Sequence, residues 1–83
     1  MDSTARLALV AQLDAQIVKR VDRLAANPGS RPLQLAILSL AEQSATHLRP
    51  THPDAGVHAR AHVAYLLAAG HHDVIRTRYL AAA

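Results

Sequence analysis

Histidine is the one versatile side chain present in number, six in 83 residues. His58 and His62 are four apart, so on a helix both project from one face and could place two imidazoles on one metal ion. His52, Asp54, His71 and His72 flank that segment and are the candidates to complete such a site. No Glu stands between His58 and His62 as in the metalloprotease pattern, and Arg60 places a positive charge beside them, which opposes a cation. A solvated polar face is the commoner role for such a pair. A His-based metal-binding or pH-responsive protein is therefore an alternative, not the main reading. Protonating all six in acid would add six charges to the +3 carried at neutral pH.

Hydrolytic chemistry needs a nucleophile, a base and an orienting acid within reach. Ser30, Ser39 and Ser44 stand at expected caps or inside expected helices, and no two of the six carboxylates fall together on one predicted face. Gly29, Gly56 and Gly70 are isolated, so there is no phosphate-cradling loop. The chain reads as non-enzymatic, with no catalytic residue, no cofactor and no small-molecule substrate expected.

The basic residues gather in the last third. Arg60, His72, Arg76 and Arg78 are the candidate nucleic-acid contacts if a turn at Gly70 joins two helices as a helix-turn-helix. Against that motif, Leu66 stands four before the glycine, where a small residue is favoured, and Arg76 stands six after it, where a buried aliphatic is expected. The other arginines are scattered, leaving no continuous phosphate-tracking stripe. A small basic DNA- or RNA-binding regulator is the second alternative.

The elements that must carry these residues are helices. Leu7, Val10, Leu13, Ile17, Val21 and Leu24 recur at spacings of three and four, which predicts an amphipathic helix over about 3–26. Asp2 or Ser3 caps it, Asp14 lies off its stripe, and Asn27-Pro28-Gly29 stops it, Asn and Gly tolerating left-handed backbone. A second helix is expected over about 31–48, with Ser30 as cap and Pro32 in the first turn. Its two adjoining stripes, Leu33-Ile37-Leu40 and Leu35-Leu38-Ala41-Ala45-Leu48, make it either central or covered by something else. Thr51 as cap and Asp54 as its capping-box partner start a third helix over about 52–69, with Gly56 weakening its first turn. Val57, Ala61, Ala64, Leu67, Val63 and Leu66 are expected to face inward. Gly70 closes that helix, and a short fourth spans about 73–82, holding Val74, Ile75, Tyr79 and Leu80. No segment alternates as a strand does. The expected fold is all-α, a single domain of three long helices plus a short C-terminal one, arranged as two stacked hairpins.

Composition limits the core. Eighteen residues are Ala and twelve Leu, with no Phe or Trp and two Tyr. Burying an Ala removes little apolar area, whereas a Leu contributes about 1.5–3 kcal/mol. Without cysteine, neither disulfides nor thiolate metal sites can supplement so small a core. Self-association or a helical partner is the expected supplement, and the stripe Leu7, Val10, Leu13, Ile17, Val21 and Leu24 is the expected partner-binding surface. The acidic start Met1-Asp2-Ser3-Thr4 is unlike a secretion signal and no stretch reads as a membrane span, so a cytoplasmic location is expected. Eight of the nine basic residues are Arg, which with the abundant Ala suggests a GC-rich bacterial or phage source.

From Val57 to Ala82 the chain resembles a single tetratricopeptide-type hairpin, through Ala61, His62, Tyr65, Gly70, Tyr79 and Ala82. A helical hairpin followed by such a unit is also similar to the small chaperones of bacterial secretion systems. The resemblance implies a protein-binding helical scaffold. The function expected is thus an adaptor or chaperone-like interaction module.

Overall fold

The computed structural model describes residues 2–80. They form four helices: α1 (Ser3–Ala26), α2 (Arg31–Leu48), α3 (Ala55–Ala68) and α4 (His72–Leu80). The molecule is an all-α bundle. α1 sets its length, since 24 residues rise about 36 Å and the longest extent is 38 Å. α2 packs on both α1 and α3, and α4 folds back mainly along α1, touching α3 less. Among the described residues no helix is long and apolar enough to cross a membrane.

Local chemistry fixes the helix ends. Asp2 caps α1, its Oδ1 accepting from the Ala5 amide at 2.8 Å, which satisfies one of the free donors of the first turn. The α1–α2 turn needs no left-handed residue: Asn27 has φ −143°, and Gly70 holds the only positive φ among the described residues. The turn closes through the Ser30 amide donating to the Asn27 carbonyl at 3.0 Å, and Gln34 Nε2 donates to the Pro28 carbonyl at 3.0 Å. Ser30 occupies the cap position of α2 without a side-chain cap bond, and Pro32 sits in the first turn.

The third helix starts later than the sequence predicts. Residues 49–54 form a non-helical linker, Asp54 stands at the cap without a side-chain bond, and no capping box forms. Two backbone turns replace it, the His52 amide donating to Arg49 and the Ala55 amide to His52, while the Thr51 hydroxyl meets His52 Nδ1 at 3.2 Å. The C-terminal end is a Schellman cap. Gly70, at φ +78°, lets its own amide reach Leu67 at 3.1 Å and the His71 amide reach Leu66 at 2.8 Å.

One core runs through the bundle. Ile17, Val18, Val21 and Leu24 of α1 meet Ile37 and Ala41 of α2, Val63 and Leu66 of α3, and Ile75 and Tyr79 of α4. Leu33, Leu38, Leu40 and Leu67 pack partly buried around it. Of the apolar residues of α4, Ile75 and Tyr79 are buried, whereas Val74 and Leu80 are exposed. Ala82 lies outside the described residues.

Two features of this packing run against the sequence reading. Asp14 lies on the buried face of α1, not off the stripe, and accepts a 2.6 Å hydrogen bond from the Ser44 hydroxyl of α2. Gly56 is not simply a weak point of α3. It is buried where α3 crosses α2, and a Cβ there would lie 2.5 Å from Thr46 Oγ1 and 3.0 Å from the Glu42 carbonyl oxygen. Glycine lets the two helices close at that point. Beside the crossing, Arg60 Nη1 pairs with Glu42 Oε2 at 3.3 Å.

Candidate functional site

The stripe expected to bind a partner forms the chain's own core instead. Val10, Leu13, Ile17, Val21 and Leu24 are all buried, and of that set Leu7 alone is exposed, at 58%. The reason is geometric: α2 and α4 both lie on α1 and together cover its apolar face. A partner would have to find another surface.

Exposed apolar side chains do lie on α3. The helix is apolar around most of its circumference, so its period does not say which side turns inward. Gly56 settles it by docking on α2, with Val63 and Leu66 following onto the core and Leu67 half-buried. Val57 and Ala61, expected inside, consequently face out. Val57 is 59% exposed and Tyr65 66%. Ala61 and Ala68 are exposed beside them and Ala64 is half-buried, which leaves a face without a formal charge along α3. The one formally charged side chain within α3, Arg60, is drawn to Glu42 on α2.

Histidines lie at the margin of this face. His58 and His62 are exposed, and with His52 they line a cleft of about 580 Å³ between the C-terminal end of α2, the 49–54 linker and α3. Leu48, Ala55 and Ala59 give that cleft apolar wall; Arg49, Asp54 and Arg78 are its charged residues. No third ligand joins the histidine pair: among the described residues, no group of three His, Asp or Glu is placed to hold one metal ion. His71 and His72, candidates to complete the set, follow the far end of a helix about 21 Å long.

The expected nucleic-acid contacts are drawn to separate neighbours. Arg60 pairs with Glu42 on α2, whereas Arg76 Nε donates to Asp22 Oδ1 on α1 at 2.8 Å. Arg78 lines the cleft and its guanidinium lies 5.8 Å from the Tyr79 ring centroid, while His72 is half-buried at the start of α4.

Comparison with known proteins gives no match. No family model, curated protein or solved structure corresponds to this chain. The tetratricopeptide-type resemblance also finds no support in the packing, because Ala61, His62 and Tyr65 lie on the surface and α3 shares less with α4 than with α2.

The hydroxyl and carboxylate that do meet, Ser44 and Asp14, are closed off from solvent, with no histidine among the neighbours that shift Asp14. Burial raises the Asp14 carboxyl above its ordinary value, while the Ser44 bond and the Arg78 charge pull it back. Burial likewise raises the Tyr79 phenol, against the opposing charge of Arg78. Both polar residues escaped the sequence reading, although a signal was present. Asp14 stands four after Val10 and three before Ile17, and Ser44 falls between Ala41 and Leu48 at the same kind of spacing.

Proposed function

We propose that this chain is a non-enzymatic helical interaction module that pairs with a second copy of itself through the outward face of α3. The observation carrying this reading is the exposure of Val57 and Tyr65 on a helix whose sole formal charge, Arg60, is engaged by α2. A two-fold pairing brings the same patch together from both copies, so a patch without formal charge meets itself without like-charge repulsion. Val57, Ala61, Ala64 and Ala68 follow each other at spacings of four, three and four, the seam that lets two helices pack along their length. The alanines allow close backbone approach, and Val57 and Tyr65 supply most of the apolar area.

The need for such pairing follows from the core. Among the described residues ten buried side chains, one of them Ala41, make up the core cluster, which is small, and the sequence has no cysteine to cross-link it. Two helices about 21 Å long bury less than the ~1,600 Å² of a standard interface, so the pairing is expected to be weak and reversible. A cytoplasmic setting is part of this proposal. Light scattering on the eluting protein tests it. Val57→Asp and Tyr65→Asp, made separately, are expected to reduce the mass to that of one chain while helicity is kept. A parent protein that is already a single chain, or variants that keep the parent's mass, would refute it; capture of a different helical protein by the same face would redirect the proposal to that partner.

A further inference from the structure

The cleft beside α3 has a composition that pairing of α3 does not use. Its basic side chains come from three separate parts of the chain: Arg49 and His52 from the linker, His58 and His62 one turn apart on α3, and Arg78 from α4. Arg78 is far from the others in sequence, so its place on this wall is set by the fold and not by local composition. Asp54 is the one carboxylate in the lining, and Leu48, Ala55 and Ala59 provide an apolar floor. The volume of about 580 Å³ lies within the usual range for small-molecule sites.

We propose that this cleft binds the dianionic phosphate of a small phosphomonoester, with the organic body seated on Leu48, Ala55 and Ala59. Charge is the deciding argument. A phosphomonoester carries about −1.5 to −2 at neutral pH, and the two permanent cations Arg49 and Arg78 provide the matching charge. Guanidinium groups present planar forks of donors that grip phosphate oxygens in pairs. His52, His58 and His62 add ring N–H donors to the same lining. Neither Arg49 nor Arg78 forms an ion pair with a carboxylate among the described residues, whereas Arg60 and Arg76, off this cleft, both do. Arg78 also lies near enough to buried Asp14 for its charge to lower that carboxyl, without forming an ion pair with it. Asp54, in the same lining, opposes any anion, so binding rests on the two arginines outweighing its single charge.

Phenyl phosphate is the probe, titrated into the full chain at pH 7 and constant ionic strength while backbone amide NMR shifts are followed. Saturable shifts are expected at Arg49, His52, Ala59, His62 and Arg78. Benzoate should bind several-fold more weakly and benzamidine not at all. Arg49→Gln and Arg78→Gln, each with unchanged helicity, should weaken phenyl phosphate binding by roughly tenfold, the worth of one hydrogen bond to a charged group. Linear, unsaturable shifts spread over all arginine-bearing surfaces would overturn the site. Equal affinity for benzoate would overturn the phosphate assignment. Unchanged affinity in both arginine variants would overturn the role given to those side chains. Because His58 and His62 border the pairing face, the titration is repeated on Val57→Asp, whose cleft lining is unchanged, so this proposal and that of self-association fail separately.

Discussion

The Ser44 hydroxyl donates a 2.6 Å hydrogen bond to Asp14 Oδ1 across the α1–α2 interface, with both residues almost wholly removed from water, at 4% and 3% exposure. Ser44→Ala should cost about 1–3 kcal/mol, because it leaves a buried acceptor without its donor. Chemical denaturation at neutral pH measures this, and a variant as stable as the parent would show that the bond contributes nothing.

Asp14 also gives stability a pH dependence of known sign. Its native carboxyl is raised above 3.8, so the folded chain holds this proton more tightly than the unfolded chain. Its stabilising contribution is fully present below that ordinary value and is lost as pH rises through the raised native value. Asp14→Asn keeps an acceptor for Ser44 and cannot ionise. The variant should therefore gain on the parent between acid and neutral pH. Parallel stability profiles for the two proteins would contradict the assignment.

At Gly56 two effects oppose each other. Replacing it by Ala adds about 1 kcal/mol of helix propensity, but the new Cβ would stand 3.0 Å from the Glu42 carbonyl oxygen and 2.5 Å from a Thr46 hydroxyl. That hydroxyl is itself bonded to the Glu42 carbonyl at 2.8 Å and has little freedom to withdraw. Overpacking costs about 1–3 kcal/mol, so Gly56→Ala should be destabilising on balance. Gly29, with open space around its missing Cβ, is the control, and Gly29→Ala should leave the melting temperature level or slightly higher. A rise in melting temperature for Gly56→Ala would mean that α2 and α3 are not in close contact there.

Much of α1 and α2 could be read directly from the sequence. Their caps and breakers, Asp2, Asn27-Pro28 and Pro32, act over a few residues, and a regular apolar period marks the inner face of α1. α3 was harder for a physical reason. A helix apolar on nearly every side carries no periodic signal, so its inner face is decided by the glycine that fits against α2. The apolar stripe of α1 is legible, but what covers it is not, because the sequence does not reveal that α4 folds back along α1 and not mainly against α3. The cleft was illegible for a similar reason, since Arg78 reaches it only through the tertiary fold.

Two aspartate substitutions separate core from surface. Ile17 is fully buried, so Ile17→Asp places a carboxylate in the core and should cost several kcal/mol, comparable with the roughly 5–15 kcal/mol that holds a small domain folded. Helicity should collapse. Val57→Asp changes an exposed position and should leave the circular dichroism spectrum intact. Loss of helicity in both would mean that α3's outer face is needed for folding of the single chain.

The ion pair between Arg76 and Asp22, short as it is, joins two half-exposed side chains. Such pairs contribute about 0–1 kcal/mol. Asp22→Asn should therefore shift thermal stability only slightly, and less still in high salt. A loss comparable with that of Ser44→Ala would assign this pair a structural role its exposure does not support.

Sedimentation equilibrium of the unmodified protein, from micromolar to millimolar concentration, bears most directly on pairing through α3. The weight-average mass should climb with concentration from 8.9 kDa toward twice that value, and Tyr65→Asp should hold it at the single-chain mass with full helicity. A parent chain that stays at 8.9 kDa across the whole range, fully helical, would contradict self-association.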